Sequence, residues 1–288
     1  VLWMSRGGYT AVKGIITSFT LKTFPMPHVM AASSLFPVSA YTGLAAWIRS
    51  IKEDSSIDSS DAEVALVHVK APAQIAETTG DSKMVVLSIS VFSDTPEKAH
   101  QAAALFSSPP CAPIGDLGTP EPSSPLKIVE GLKGSYPPDA RYAVDCVLVM
   151  KEGLQGAPLE DALGKIGEEF ERADMGRDAA HMLTSFFDHT KMPRVDGPIG
   201  TPPGMVVLLY SIYDRAAEDA ERDELCRRIL SPLASLTLRP MVTESCSIIG
   251  KRAIKDAFPE QWEDLLDTAA KLDPKNLFED IVVAEQSG

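Results

Sequence analysis

Four side chains spread through the sequence have the chemistry to move a proton: His68, His181, Asp145 and Tyr213. Imidazole exchanges a proton near neutral pH, and a carboxyl such as Asp145, once desolvated, rises toward a pKa useful for acid–base work. Holding a reactive polyene, quinone methide or polyketide beside one such group suffices for dehydration, isomerisation or cyclisation, because a near-attack geometry itself removes several kcal/mol from the barrier. Lys70, Ser88, Ser90, Phe92, Ser185, Phe187, His189 and Ser211 supply the mixture of hydroxyl, aromatic, imidazole and cationic groups that would line such a substrate site. The alternative for each histidine is a packed or solvated strand position, and for Asp145 a carboxylate held by hydrogen bonds.

Other chemistries find no support. His181, Asp188 and His189 lack the spacing of a metal-ligand run and a third convergent ligand, so no metal is expected. There is no serine nucleophile elbow, and Gly7-Gly8 is too short for a phosphate loop. Cys111, Cys146, Cys226 and Cys246 show no CxxC pattern and read as buried free thiols, Cys246 as structural.

The elements that position these residues follow from periodicity. Residues 14–24 alternate apolar and polar with β-branched and aromatic types, the pattern of a half-buried strand ended by Pro25. A strand at about 29–38 leads to a helix capped by Ser39, with Leu44, Trp47, Ile48 and Ile51 on one face. Strands at 63–70 and 84–92, joined by a loop with Gly80-Asp81, precede a helix at 95–107 capped by Asp94. Eight of the 22 prolines fall between Pro109 and Pro138, a long connector able to hold a lid or binding loop. The order then returns: strand 140–150, helix 158–172, strands 181–188 and 205–213, helix 215–235. A last helix spans about 259–272.

This predicts an α+β fold: one mainly antiparallel sheet from two β-α-β-β-α units, about 28–108 and 139–236, with the helices packed on one face. Strand alternation then sorts the side chains. Ala65, Val67 and Val69 are expected against helices, leaving Leu66, His68 and Lys70 on the other side. Likewise Val85, Leu87, Ile89 and Val91 leave Ser88, Ser90 and Phe92, and Val144, Cys146 and Leu148 leave Ala143, Asp145 and Val147. Val206, Leu208 and Ile212 leave Val207, Leu209, Ser211 and Tyr213, while His181, Ser185, Phe187 and His189 share one side of their strand. The open face is expected to hold a small hydrophobic molecule; its alternatives are the solvated side of an amphipathic sheet or a homodimer interface.

The 288 residues allow about two domains on the usual prior of roughly 100–200 residues each. Hydrophobic residues make up 44% and charged residues 23%, an ordinary globular balance. With 27 Lys plus Arg against 40 Asp plus Glu, a net charge of −13 repels phosphate backbones and anionic lipid, so neither nucleic acid nor membrane is an expected partner. No apolar run reaches the ~18 residues of a spanning helix, and the first residues lack a signal-peptide pattern. A cytoplasmic location is expected, unless a leader has been removed.

Arg6-Gly7-Gly8 and the segment from Gly14 to Pro25 resemble the FAD-linked oxidases of the vanillyl-alcohol-oxidase and berberine-bridge-enzyme-like group, as do Tyr142-Ala143-Val144-Asp145, Leu209-Tyr210-Ser211-Ile212-Tyr213-Asp214 and the ending Leu272-Asp273-Pro274-Lys275-Asn276-Leu277-Phe278. The resemblance implies that residues 1–27 close a flavin-binding domain, that 28–258 form the substrate domain whose open sheet face lies over the flavin, and that 259–288 form a closing helix and tail. Most of the flavin domain would precede Val1, and Gly8-Tyr9-Thr10-Ala11-Val12-Lys13-Gly14 departs from the family's glycine-rich turn, adding bulk where backbone should approach the cofactor. The leading expectation is therefore a flavin-free enzyme of oxidase lineage acting on a hydrophobic natural-product intermediate, with no cofactor. The alternatives are the C-terminal portion of an FAD-dependent oxidoreductase and a non-catalytic binding or dimerisation module.

Overall fold

The structure, a computed structural model, describes residues 13–115, 117–154, 156–187, 203–241, 255, 257–258, 260–275 and 277–278. Strands β1 (His28–Pro37), β2 (Ala62–Lys70), β3 (Lys83–Ser93), β4 (Glu121–Ser123), β5 (Arg141–Val149), β6 (His181–Phe186), β7 (Met205–Tyr213) and β8 (Leu238–Pro240) form one sheet in the order β4-β1-β3-β2-β6-β7-β5-β8. Every pairing is antiparallel. The helices are α1 (Tyr41–Glu53), α2 (Ala73–Thr79), α3 (Pro96–Ala104), α4 (Pro125–Gly131), α5 (Ala157–Arg172), α6 (Asp219–Leu230) and α7 (Trp262–Leu272). The α+β architecture expected from the alternation of patterns is the one found.

The two triplets β2-β3-β1 and β6-β7-β5 run outward from the β2–β6 seam in matching order, each with its helix pair, α1 and α3 or α5 and α6. Helix α1 buries Leu44, Ile48 and Ile51, α5 buries Leu159, Leu163, Ile166 and Phe170, and α6 buries Leu225, Ile229 and Leu230, all in a single apolar core. Each such side chain contributes about 1.5–3 kcal/mol by leaving water, so the helix-covered face is where stability is concentrated.

Several local expectations are corrected. Residues 14–24 form no strand: Ile15, Phe19, Leu21 and Phe24 are 73–82% exposed, and none of the described strands pairs with them. Ser39 lies in a 3-10 turn, and the cap of α1 is Ala40, without a side-chain bond. The 71–82 connection contains α2, stopped by Gly80 in the left-handed conformation that glycine tolerates. Helix α3 is capped by Thr95, whose hydroxyl accepts from Lys98 N–H, and not by Asp94. The proline-rich connector contains β4 and α4, with Pro125 in the first turn of α4 and Ser124 as its cap.

The strand faces bring the largest correction. Register pairs Val64 with Ile89, Leu66 with Leu87 and His68 with Val85, so β2 presents Val64, Leu66 and His68, not Val67 and Val69, to the helices. The same logic continues through Met182, Thr184 and Phe186 of β6 to Met205, Val207, Leu209, Ser211 and Tyr213 of β7, then to Ala143, Asp145 and Val147 of β5. Expectation and structure agree in β3 and β6 and are inverted in β2, β5 and β7. In Ala62–Lys70 and Met205–Tyr213 both alternating sets are apolar, so hydrophobicity cannot set the parity, and an offset of one residue moves every side chain to the other face.

Candidate functional site

His68 is fully buried among helix residues, its ring 4.2 Å from that of Tyr41 and 5.3 Å from that of Phe170. Neither ring nitrogen has a hydrogen-bond partner. Burial, with a smaller repulsion from Lys83, pushes its pKa down to about 3, leaving a neutral imidazole sealed from any substrate on the opposite face. The Tyr41 hydroxyl bonds Thr184 Oγ1 at 2.7 Å, and burial raises its pKa. A cavity of about 330 Å³ nearby, between α1 and α5, has Tyr41, Thr42, Gly164 and Glu168 in its walls but not His68.

Asp145 is 1% exposed on the same covered face. Ser211 Oγ donates to the Met175 carbonyl at 3.0 Å. The Tyr213 hydroxyl donates to Asp219 at 2.9 Å, and Asp219 also receives two bonds from Arg141 at 2.6 and 2.8 Å. Desolvation, then the Asp219 bond, pushes the Tyr213 phenol up to about 12. This network ties α6 to the sheet. Lys70, at the exposed end of β2, pairs with Asp178 at 2.6 Å. His68, Asp145, Ser211, Tyr213 and Lys70 therefore do not converge on the open face, contrary to the expected strand parity.

His181 does stand there, with Ser185 from its own strand, Phe187 just past that strand's end, and Ser88, Ser90 and Phe92 from β3. His189 lies outside the described residues, as does Cys246. Ser185 donates to the Val64 carbonyl at 3.2 Å and is buried, which leaves Ser88 and Ser90 as the half-buried hydroxyls of this group.

Around His181 the structure adds two residues that alternation did not single out. Register sets Tyr210 opposite His181, the rings stacked with centroids 4.8 Å apart and planes at 28°. Tyr136, delivered by the connector, meets His181 edge-on at 5.7 Å and Tyr210 at 5.4 Å. Nδ1 of His181 is 2.8 Å from the Ala179 carbonyl, which can only accept. The proton therefore sits on Nδ1, and Nε2 is the basic nitrogen. Burial lowers the His181 pKa against a smaller opposing effect of that carbonyl, so the ring is a neutral base in a mostly apolar setting. Correct β7 parity would have revealed Tyr210 from sequence; Tyr136, 45 residues upstream of His181 in a connector, carried no local signal.

The bed formed by Tyr136, Tyr210 and the neighbouring Leu183 and Leu208 suits a flat ring system. The turn at residues 7–12, where the resemblance places the approach to FAD, lies outside the described residues. Among them, no group of three or more His, Cys, Asp or Glu comes together as metal ligands, and no helix is long and apolar enough to cross a membrane.

Comparison with solved structures finds this fold in FAD-linked oxidases. Berberine bridge enzyme from Eschscholzia californica aligns with a TM-score of 0.68 at 14% identity, over 96% of this chain and 59% of that one. GilR, an oxidoreductase that catalyses the terminal step of gilvocarcin biosynthesis, aligns with a TM-score of 0.65 at 12% identity, over 90% and 57%. CrmK, a flavoenzyme of caerulomycin biosynthesis, gives 0.65 at 13%, over 88% and 55%. The chain spans between half and three fifths of the length of these proteins. No family model matches it, and no curated protein matches it.

Proposed function

We propose that this chain is an enzyme of FAD-linked-oxidase lineage that works without flavin, binding a hydrophobic natural-product intermediate on the open sheet face and catalysing its dehydration, isomerisation or cyclisation. The observation that carries the reading is His181: a neutral imidazole whose tautomer is fixed by the Ala179 carbonyl, packed in one cluster with Tyr136 and Tyr210 on the sheet face opposite α1, α3, α5 and α6. Nε2 takes a proton from an activated C–H or O–H of the bound molecule, and the resulting imidazolium, disfavoured by its burial, returns the proton at a second position. Tyr136 and Tyr210 hold the substrate's flat part against the imidazole.

The test uses 2-tetralone as a small aromatic C–H acid in deuterated buffer. The intact protein should accelerate deuterium uptake at the activated carbon, and His181→Gln should remove the acceleration while keeping the fold. Equal exchange with both proteins refutes the role of His181.

A second reading has its own observation. The exposed apolar segment at residues 15–26, with Ile15 82%, Leu21 78% and Met26 79% exposed, is the kind of surface another layer normally covers. It favours an FAD-dependent oxidoreductase of which this chain is the C-terminal portion, residues 1–27 closing a flavin domain. An absorption band near about 450 nm in the purified protein would select this reading over the flavin-free one.

A further inference from the structure

The open face is banded along its strands. His181 and Tyr210 form one cross-strand row. Two residues on, Leu35, Val86, Val67, Leu183 and Leu208 make an apolar row across five strands. Two residues further, Ser33 pairs with Ser88 and Ser88 with Ala65, and Ala65 pairs with Ser185. The last row sets Ser90 opposite Glu63. A strand advances about 3.4 Å per residue and neighbours lie about 4.8 Å apart. The Ser33–Ser88–Ser185 row is thus about 14 Å from His181 along the strands and the Ser90–Glu63 row about 20 Å, with Ser88 two strand spacings, about 10 Å, to the side.

Resting on the reading of His181 given above, we infer that the ligand of this face is a flat hydrophobic molecule carrying an uncharged, hydroxyl-rich group at its far end, such as an aromatic glycoside. An apolar middle row rejects polar atoms along the body. Ser33 and Glu63 are exposed, and Ser88 and Ser90 half-buried, so their oxygens are reachable. Serine hydroxyls both donate and accept, matching sugar hydroxyls, while the Glu63 carboxylate accepts only. Placed beside Ser90, that carboxylate welcomes hydroxyl donors and repels a carboxylate on the ligand. The face therefore discriminates by charge at one end and by flatness at the other.

The probes are apigenin, its 7-O-glucoside and its 7-O-glucuronide, titrated against the full chain by quenching of protein fluorescence. The expected order of affinity is glucoside, aglycone, glucuronide. Ser88→Ala combined with Ser90→Ala removes two hydrogen bonds of modest net worth and should weaken the glucoside about tenfold without weakening the aglycone. Glu63→Gln should narrow the gap between glucuronide and glucoside. Circular dichroism confirms that each variant is folded. A glucoside that binds no better than the aglycone, or a glucuronide penalty unchanged in Glu63→Gln, overturns the inference while leaving the His181 reading intact. Failure of all three probes to bind, together with tetralone exchange indifferent to His181→Gln, overturns both.

Discussion

Replacing His68 by leucine tests the face assignment directly. The imidazole is fully buried without a hydrogen-bond partner, and its pKa is pushed down to about 3 from an ordinary 6.5. Between those values the unfolded chain binds a proton that the folded chain does not, so the folded state loses stability as pH falls from 6.5 toward 3. With each pH unit worth about 1.4 kcal/mol, lowering the pH from 7.5 to 5 should cost the native protein about 2 kcal/mol through this residue. Leucine, of similar volume and with nothing to protonate, removes that loss. It also removes two unanswered polar atoms, each an orphan worth about 1–3 kcal/mol when left buried, so His68→Leu should be neutral or stabilising at pH 7.5. The assay is urea unfolding of both proteins at the two pH values. His181 titrates in the same direction in both, and so cancels in the comparison. Parallel losses in the native protein and the variant would refute the argument, as would a variant destabilised by more than about 2 kcal/mol at pH 7.5.

Three further outcomes are expected. Tyr41→Phe removes the 2.7 Å bond to Thr184 and leaves that hydroxyl buried alone, a loss of about 1–3 kcal/mol that should appear as a lower denaturation midpoint. Gly176→Ala is more severe: at φ 93° its Cβ would stand 2.2 Å from the Ile212 carbonyl oxygen, so a loss of about 3 kcal/mol or more and a correspondingly lower melting temperature are expected. Tyr213→Phe should destabilise by about 1–2 kcal/mol through the lost bond to Asp219 while leaving tetralone exchange unchanged; a loss of exchange in a folded variant would return Tyr213 to the catalytic group.

The sheet, its antiparallel character and its one-sided helices were legible because β3 alternates cleanly, Val85, Leu87, Ile89 and Val91 against Ser88 and Ser90, and because α1 and α5 carry single apolar stripes. Side-chain direction in β2, β5 and β7 was not, since Ala62–Lys70 and Met205–Tyr213 are apolar on both alternating sets. Propagating parity from β3 through the register resolves them, but register is long-range information: Leu66 meets Leu87 and Thr184 across loops and a whole second unit. Residues 14–24 mislead for the complementary reason. Their alternation is real, yet a strand exists only where another strand accepts its hydrogen bonds.

Polar strand residues in this fold take their meaning from the face and not from their chemistry. On the covered face the helices and loops answer most of them: Thr184 through Tyr41, Ser211 through the Met175 carbonyl, Tyr213 through Asp219. These hydroxyls are bonded beneath the helix layer, on the side of the sheet away from a ligand on the open face. On the other face none of the described helices contributes a hydrogen bond to Ser88, Ser90 or Glu63, and among the described residues His181 is hydrogen-bonded at Nδ1. Ser88 and Ser90 are half-buried and Glu63 exposed, so water or a ligand can reach them. A base fixed in its tautomer at one end and a row of reachable hydroxyls at the other make this face the place to look for turnover, and make His181, among the four proton-transfer candidates, the group on which the experiments should converge.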